Sequence, residues 1–271
     1  MTAMAAAARR WRVARISARY EVSQPGRVTG VAVQLALQIF LMWCLWRALY
    51  AVSPTNSGLS EAQALAYAVL GVLYTRLRGP DRSIAEDTVA QHVREGRISY
   101  WFLRPLEPRH YHRLRAIGDQ AYGFAWAVGG YLVCLLVGLV QKPVSATALW
   151  VFLVSLLLGQ VVLYHLLAIT DVATFWLVDN TGVIGIIAFA QSLFAGAIAP
   201  LWFFPGWFQT LSSWLPFQSS FHIPVSIYVG RIPAGSAARD LVVQLLWCLL
   251  LSLVLRWLWG RAGRRVIVQG G

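Results

Sequence analysis

The chain has 271 residues, of which 58% are hydrophobic and only 13% are charged, and its formal net charge is +12. A soluble domain carries about 25% charged residues, whereas apolar runs of about 20 residues recur here, which excludes a soluble protein. The runs are continuous rather than alternating, which excludes a membrane β-barrel. Basic residues, nearly all arginine, stand at the ends of these runs, as membrane orientation requires, and this distribution argues against nucleic-acid binding.

Residues 1–25 predict an interfacial helix that precedes the first span. They lack the apolar core of a secretory signal. Val13, Ile16 and Tyr20 share one helical face and arginines occupy another, a pattern typical of a helix lying on anionic lipid. A disordered basic tail is the alternative interpretation.

Six segments are predicted to span the membrane within a single transmembrane domain that covers residues 1–271. Spans 1 and 2 fall within 29–75, spans 3 to 5 within 116–199, span 6 within 237–259, and a tail follows at 260–271. With the N terminus placed inside, the inner segments hold 19 basic residues and the outer segments hold 3. This bias predicts that both termini and the polar segment 76–115 are cytoplasmic.

The polar segment 76–115 separates spans 2 and 3 and contains nine arginines and five acidic residues. Ser83 and Glu86 have the spacing of a capping box, and Gly96 is placed to follow the helix end, so a short helix over 83–95 is predicted. Pro105 and Pro108 are expected to break the chain beyond it. The helix is either a docking element for a cytoplasmic partner or part of an ordinary solvated loop.

Segment 200–236 is as aromatic as a span, yet prolines divide it into pieces too short to cross a membrane. The prolines are Pro205, Pro216, Pro224 and Pro233. Broken backbone at membrane depth has to be buried in protein or line a cavity, so extracellular re-entrant helices are predicted between spans 5 and 6. Trp207 and Trp214 are seven residues apart and share a face. They would close the outer mouth of a pathway or anchor the segment among lipid headgroups.

Few ionisable side chains fall within the predicted spans. Asp119 lies about one turn into the third span and is a candidate pathway residue or a structural partner of an arginine. His165 is interpreted as a buried, hydrogen-bonded histidine. His110 and His112 lie on different helix faces, and the three cysteines lack metal-ligand spacing, so no metal site is predicted.

Small residues recur at Ala188, Ser192 and Gly196, with the spacing i, i+4 and i+8. Such a stripe lets two helix backbones approach closely. A helix-helix interface is therefore predicted on the fifth span, either within the subunit or between subunits.

Motifs for nucleotide binding and hydrolysis are missing from the sequence. Its one lysine, Lys142, stands in a Gln-Lys-Pro turn, so the G-x-x-x-x-G-K-[ST] loop cannot be present. Neither the serine nucleophile elbow nor the H-E-x-x-H zinc motif occurs. The chain is not expected to be an enzyme by itself or to bind a cofactor.

Two stretches carry a resemblance to a known family. Arg94–Pro108 reads REGRISYWFLRPLEP and is similar to a G-x-[IL]-x-x-x-L-[LV]-R-P pattern, with Phe102 in place of the leucine. Ser192–Arg231 is similar to a fifth span followed by proline-marked re-entrant helices. With the basic N-terminal helix, these features resemble the membrane subunit of ABC-2-type ABC transporters over nearly the whole chain.

The resemblance implies a dimer of permeases, homomeric or heteromeric, in a bacterial plasma membrane, bearing cytoplasmic ATPase subunits that bind ATP and Mg²⁺. It implies export and makes the segment Ser83–Gly96 the coupling helix. The residues expected to contact the ATPase are Asp87, His92, Arg94, Glu95, Gly96 and Arg97. A proton-driven carrier and a lipid-modifying membrane enzyme are the alternatives.

Overall fold

The computed structural model describes residues 14–15, 22–23, 25–52, 58–77, 89–103, 107–177 and 181–269. No strand occurs among these residues, which confirms the all-helical prediction for them. The predicted interfacial helix 1–25 lies almost wholly outside them. Ala14 is described and is buried. Its backbone lies so close to Gly118 that a β-carbon added at Gly118 would collide with the Ala14 carbonyl.

Ten α-helices follow one another within the described residues. They are α1 Pro25–Val52, α2 Glu61–Leu77, α3 Val89–Arg94, α4 Ser99–Leu103, α5 Pro108–Leu136, α6 Ala146–Ala173, α7 Thr181–Phe194, α8 Gly206–Ser213, α9 His222–Tyr228 and α10 Ala238–Gln269. Short 3-10 helices at Leu201–Phe203, Pro216–Ser220 and Ala234–Ser236 lie between the later ones.

Three of these helices are long and apolar enough to cross a membrane, namely α1, α6 and α10 over Ala238–Arg264. Ile184–Phe194 of α7 is a shorter apolar helix. Only 6% of the apolar window of α1 is buried, against 28% for α6 and 22% for α10. The helix α1 is therefore peripheral, whereas α6 and α10 form the centre of the bundle.

The bundle is organised by α6 and α10, which pack along each other, and by α2, which packs between α1 and α5. Backbones approach closely at two glycines. At Gly123 of α5 an added β-carbon would overlap the carbonyl of Arg76, and at Gly159 of α6 it would lie 2.6 Å from the carbonyl of Ser219. These contacts bring α2 against α5 and seat the 3-10 helix Pro216–Ser220 on α6.

Several element boundaries differ from the sequence-based expectation. Pro108 begins α5 instead of breaking the chain, because proline has no N–H to lose in a first helical turn. The fifth apolar helix, α7, ends at Phe194 because Gly196 adopts a positive φ of 73° in the following turn. The sequence predicts a linker at 171–181, but α6 continues to Ala173, so Asp171 lies in the helix.

The aromatic segment after α7 is built from short pieces, as its prolines predict. Pro205 and Pro216 begin new pieces, whereas Pro224 lies in the first turn of α9 and does not divide it. All seven residues of α9 are buried. The broken backbone is thus enclosed by protein here, which is the condition for such pieces at membrane depth.

Candidate functional site

The described part of the polar segment contains two short helices, α3 and α4, joined by a tight turn. Gly96 follows α3 with a φ of 68°, a left-handed conformation that favours glycine, and its N–H donates to the Val93 carbonyl at 3.2 Å. The predicted helix end is therefore confirmed at this position. The predicted start, with Ser83, Glu86 and Asp87, lies outside the described residues. The helix α4 has no counterpart in the sequence-based prediction.

Trp101 of α4 is the anchor of this pair of helices. It is 1% exposed and stands edge-on to Tyr111 of α5, with ring centroids 4.9 Å apart. The His92 ring of α3 lies 5.7 Å from the Trp101 ring. Trp101 therefore connects α3, α4 and the first turns of α5.

An apolar cluster fixes α3 and α4 to the two central helices. Its members come from α3, α4 and the turn between them, and from the ends of α6 and α10 that lie beside them. They are Val89, Ile98, Trp101, Ala168, Val172, Phe175, Leu255, Trp259 and Ala262. We call this region the α3–α4 end of the bundle.

A buried imidazole and a partly buried carboxylate lie beside that cluster. The Nε2 atom of His112 on α5 is 2.9 Å from Oδ2 of Asp171 on α6, and His112 is only 5% exposed. The imidazole ring lies 6.0 Å from the Trp259 ring of α10. The pair thus joins α5 to α6 at the place where α10 also packs.

The turn that follows α3 carries exposed charges and forms the outer rim of the α3–α4 unit. Arg97 and Glu95 form an ion pair with side chains that are 51% and 37% exposed, and Gln91 donates to the Glu95 carboxylate at 2.8 Å. This rim is open to a partner, in contrast to His92, which faces the Trp101 ring. His92 therefore supports the helix pair through Trp101, and contact between His92 and an ATPase stays a prediction.

The opposite end of the bundle, which contains α8, α9 and the 3-10 helix Pro216–Ser220, is held by neutral hydrogen bonds. The Tyr67 hydroxyl donates to the Gly196 carbonyl at 3.1 Å, and the Tyr74 hydroxyl donates to the Ser220 hydroxyl at 2.7 Å. The Gln244 amide donates to the Ser219 carbonyl at 2.7 Å. We call this region the α8–α9 end.

A family model described as an ABC-2 family transporter protein matches residues 33–270. The chain belongs to this family. No curated protein and no solved structure matches the chain. As a member of this family, it is a membrane component of an ABC transporter.

The predicted pathway and gate residues of this ABC-2 protein are spread along the bundle. Asp119 is buried on α5, two turns beyond His112. Trp207 on α8 and Trp214 at its end are 69% and 76% exposed, so both rings face away from the bundle. The structure does not bring the three residues together, and a pathway or gate role for each of them stays a prediction.

The small-residue stripe of the ABC-2 protein is interrupted. Ala188 and Ser192 are on α7, where the Ser192 hydroxyl donates to the Ala188 carbonyl at 2.8 Å. Gly196 lies beyond the helix end, and a β-carbon there would be 2.7 Å from the Tyr67 hydroxyl. The assumption that all three share one helical face is thus wrong for Gly196, and an interface at the other two stays a prediction.

Sequence reasoning missed the His112–Asp171 pair. The two residues are 59 positions apart, and the sequence pattern places Asp171 in the linker at 171–181, so nothing local indicates that they meet. His112 was considered only with His110, and no cluster able to hold a metal occurs among the described residues. An acidic residue in the last turn of a long apolar helix was the available signal, because a buried carboxylate there requires a partner.

Proposed function

We propose that the chain is the membrane-spanning permease subunit of an ATP-driven exporter, coupled to separate cytoplasmic ATPase subunits that bind ATP and Mg²⁺. The observation that carries the proposal is the α3–α4 unit, which has an exposed charged rim and a buried face fixed to α6 and α10. A surface of this kind is able to receive a push from a partner and pass it to the centre of the bundle.

Transmission follows from the packing of Trp101. A displacement of α3 moves Trp101 against Val172 of α6 and Trp259 of α10, because all three belong to one apolar cluster. Close-packed interiors are stiff and pass strain on instead of absorbing it. Helix α6 also carries α9 near its other end, so one rigid helix links the two ends of the molecule.

Six spans with both termini in the cytoplasm remain the proposed topology. Helices α1, α6 and α10 supply three spans, and α2, α5 and α7 supply the others. The 17 residues of α2 extend for about 25 Å, slightly less than a hydrocarbon core, and the 29 residues of α5 exceed it. The 19-to-3 charge bias supports this orientation in a bacterial plasma membrane.

A second permease, identical or different, is the proposed partner within the membrane. Helix α1 exposes a long apolar face with Leu37, Leu41 and Leu45, and α7 exposes Ile186 and Phe189. In the proposed dimer, part of this apolar surface contacts the second subunit and the remainder contacts lipid.

The test is a charge swap that keeps the ion pair but exchanges the positions of its positive and negative charges on the surface that would face a partner. Purified with its genomic neighbours, the wild-type chain should retain an ATPase that carries a Walker A loop. The double variant Glu95→Arg, Arg97→Glu should weaken that association about tenfold, since like charges across an interface repel. The matched control is Glu107→Arg, Arg109→Glu, which swaps an exposed pair of the same chemistry at the start of α5.

The control swap should leave association within about twofold of wild type. Full retention of the ATPase by the Glu95/Arg97 swap would show that α3 is not the docking element. Absence of any copurifying ATPase would count against the permease proposal as a whole.

A further inference from the structure

A half-open cavity of about 270 Å³ lies between α1 and α2. Tyr67 and Gly71 of α2 line it, and the turn 197–200 after α7 closes it on one side. Its rim includes Leu41 and Ile198, which are 54% and 52% exposed, so the cavity opens onto the apolar outer surface. Its volume is slightly below the range of about 300–1,000 Å³ that is typical of small-molecule sites.

The polar side chains that line the cavity differ in their hydrogen-bond partners. The Tyr67 hydroxyl bonds to the Gly196 carbonyl and lies 2.9 Å from Nδ1 of His222. The Thr75 hydroxyl donates to the Val72 carbonyl at 2.7 Å. The Oε1 atom of Gln38 is buried and has no hydrogen-bond partner in the structure.

Gln38 lies at the middle of α1, about 20 Å from either end of the helix. No water is available at that depth of a membrane, so a buried amide oxygen without a donor is costly. Polar groups retained inside spans commonly mark substrate pathways. Gln38 therefore brings an amide oxygen without a hydrogen-bond donor to a largely apolar cavity lining, and no charged side chain lines the cavity.

We propose that this cavity binds an uncharged amphiphile drawn from the membrane, whose hydroxyl donates to Gln38 Oε1. Its apolar body packs against Leu41, Met42 and Val72, and it enters over the open rim. A charged headgroup is rejected because the lining offers no counter-charge. The assignment of such an amphiphile as the transported substrate class rests on the proposed permease function.

Photolabelling tests the site in the full chain, purified with its partner ATPase and reconstituted in phospholipid nanodiscs. The probe is a long-chain primary alcohol that carries a diazirine, and the comparison compound is its methyl ether. The alcohol should label peptides from α1 and α2, and Gln38→Leu should lower that labelling about fivefold, the effect of one hydrogen bond. The ether should label wild type no more than the alcohol labels Gln38→Leu.

Two further variants separate a lost site from a damaged protein. Gln160→Leu changes a glutamine in α6 that does not line the cavity and should keep full labelling. Ala68→Phe places a ring in the cavity and should block both probes while the protein stays monodisperse on size exclusion. Equal labelling by alcohol and ether, unchanged in Gln38→Leu, would overturn the proposal and leave an ordinary acyl groove.

The outcomes also separate the site from the proposed function. Hydroxyl-dependent labelling in a preparation without ATPase supports the site and contradicts the permease proposal. Copurification of an ATPase, together with labelling that does not depend on the hydroxyl, contradicts the site and supports the permease proposal. In a complex that labels as expected, stimulation of ATP hydrolysis by the alcohol supports the substrate assignment, and an unchanged rate overturns it.

Discussion

The two ends of the bundle are held together by different chemistry. At the α3–α4 end, rings pack on rings, and Trp101, Tyr111 and Trp259 supply much of the contact. At the α8–α9 end, rings are also present, but hydroxyl and amide groups bond to backbone carbonyls in addition. Tyr67, Gln244 and several other side chains donate there.

The difference follows from the backbone. Each helix leaves carbonyls without partners at its end, and the α8–α9 end contains many short pieces and therefore many such carbonyls. Side chains supply the missing donors, as when Gln63 donates to the Val229 carbonyl at 2.9 Å and Tyr228 to that of Gln141 at 2.6 Å. Directional bonds of this kind hold one geometry, whereas the attraction between apolar surfaces is not directional.

The largest expected effect is at Trp101. If packing holds the α3–α4 end, Trp101→Ala should lower the free energy of unfolding by about 3–5 kcal/mol, because it empties a fully enclosed site. The control is Trp257→Ala on the same end of α10, where the ring is 55% exposed and should contribute less than about 0.5 kcal/mol. Denaturant unfolding in mixed micelles measures both. Equal losses would mean that burial of Trp101 does not stabilise this end.

A smaller effect tests the hydrogen-bonded end. Gln244→Leu removes the hydrogen bonds that the Gln244 amide makes to the Ser219 and Ser155 carbonyls and to the Ser155 hydroxyl. It should lower the free energy of unfolding by about 2 kcal/mol. Gln160→Leu is the matched control, because the Nε2 atom of Gln160 is buried and has no partner in the structure. Its removal should be neutral or stabilising, since it relieves an unmet donor. The contrast between the ends would be lost if both variants behaved alike.

Local signals in the sequence predicted much of the fold but little of what joins its parts. Gly96 ended its helix where expected, and the prolines of the aromatic segment indicated short pieces. Both rules act within a few residues, through φ angles and missing N–H groups. The length of the apolar runs predicted that the long helices exist, but not where they end, as at α7, which ends before the positive φ of Gly196.

The candidate sites were less predictable because their residues are distant in the chain. Gln244 and Ser155 are 89 positions apart, and neither carries a local mark of its partner. The Gln38 amide is informative only once its surroundings are known, since a lone glutamine in a span is compatible with many roles. Of the residues predicted to contact the ATPase, Glu95 and Arg97 are exposed in the structure, and nothing in the sequence revealed that His92 faces Trp101.

The smallest expected effect sharpens the comparison at the α3–α4 end, where one polar pair lies among the rings. A double-mutant cycle with His112→Phe and Asp171→Leu isolates their interaction energy, which should be about 1–2 kcal/mol because both side chains are shielded from water. The matched pair is His110 and Glu107, also a histidine and a carboxylate, 3.4 Å apart but with side chains that are 40% and 58% exposed.

For that exposed pair the interaction energy should not exceed about 0.5 kcal/mol, since solvent screens it and both side chains lose rotamer freedom. Thermal unfolding of the four proteins of each cycle, under one detergent condition, gives the two energies. A strong buried pair would fix the register of α5 against α6, in addition to the stability that ring packing provides at this end. If the buried and exposed pairs give the same energy, His112 and Asp171 do not set that register, and ring packing alone positions α5 on α6.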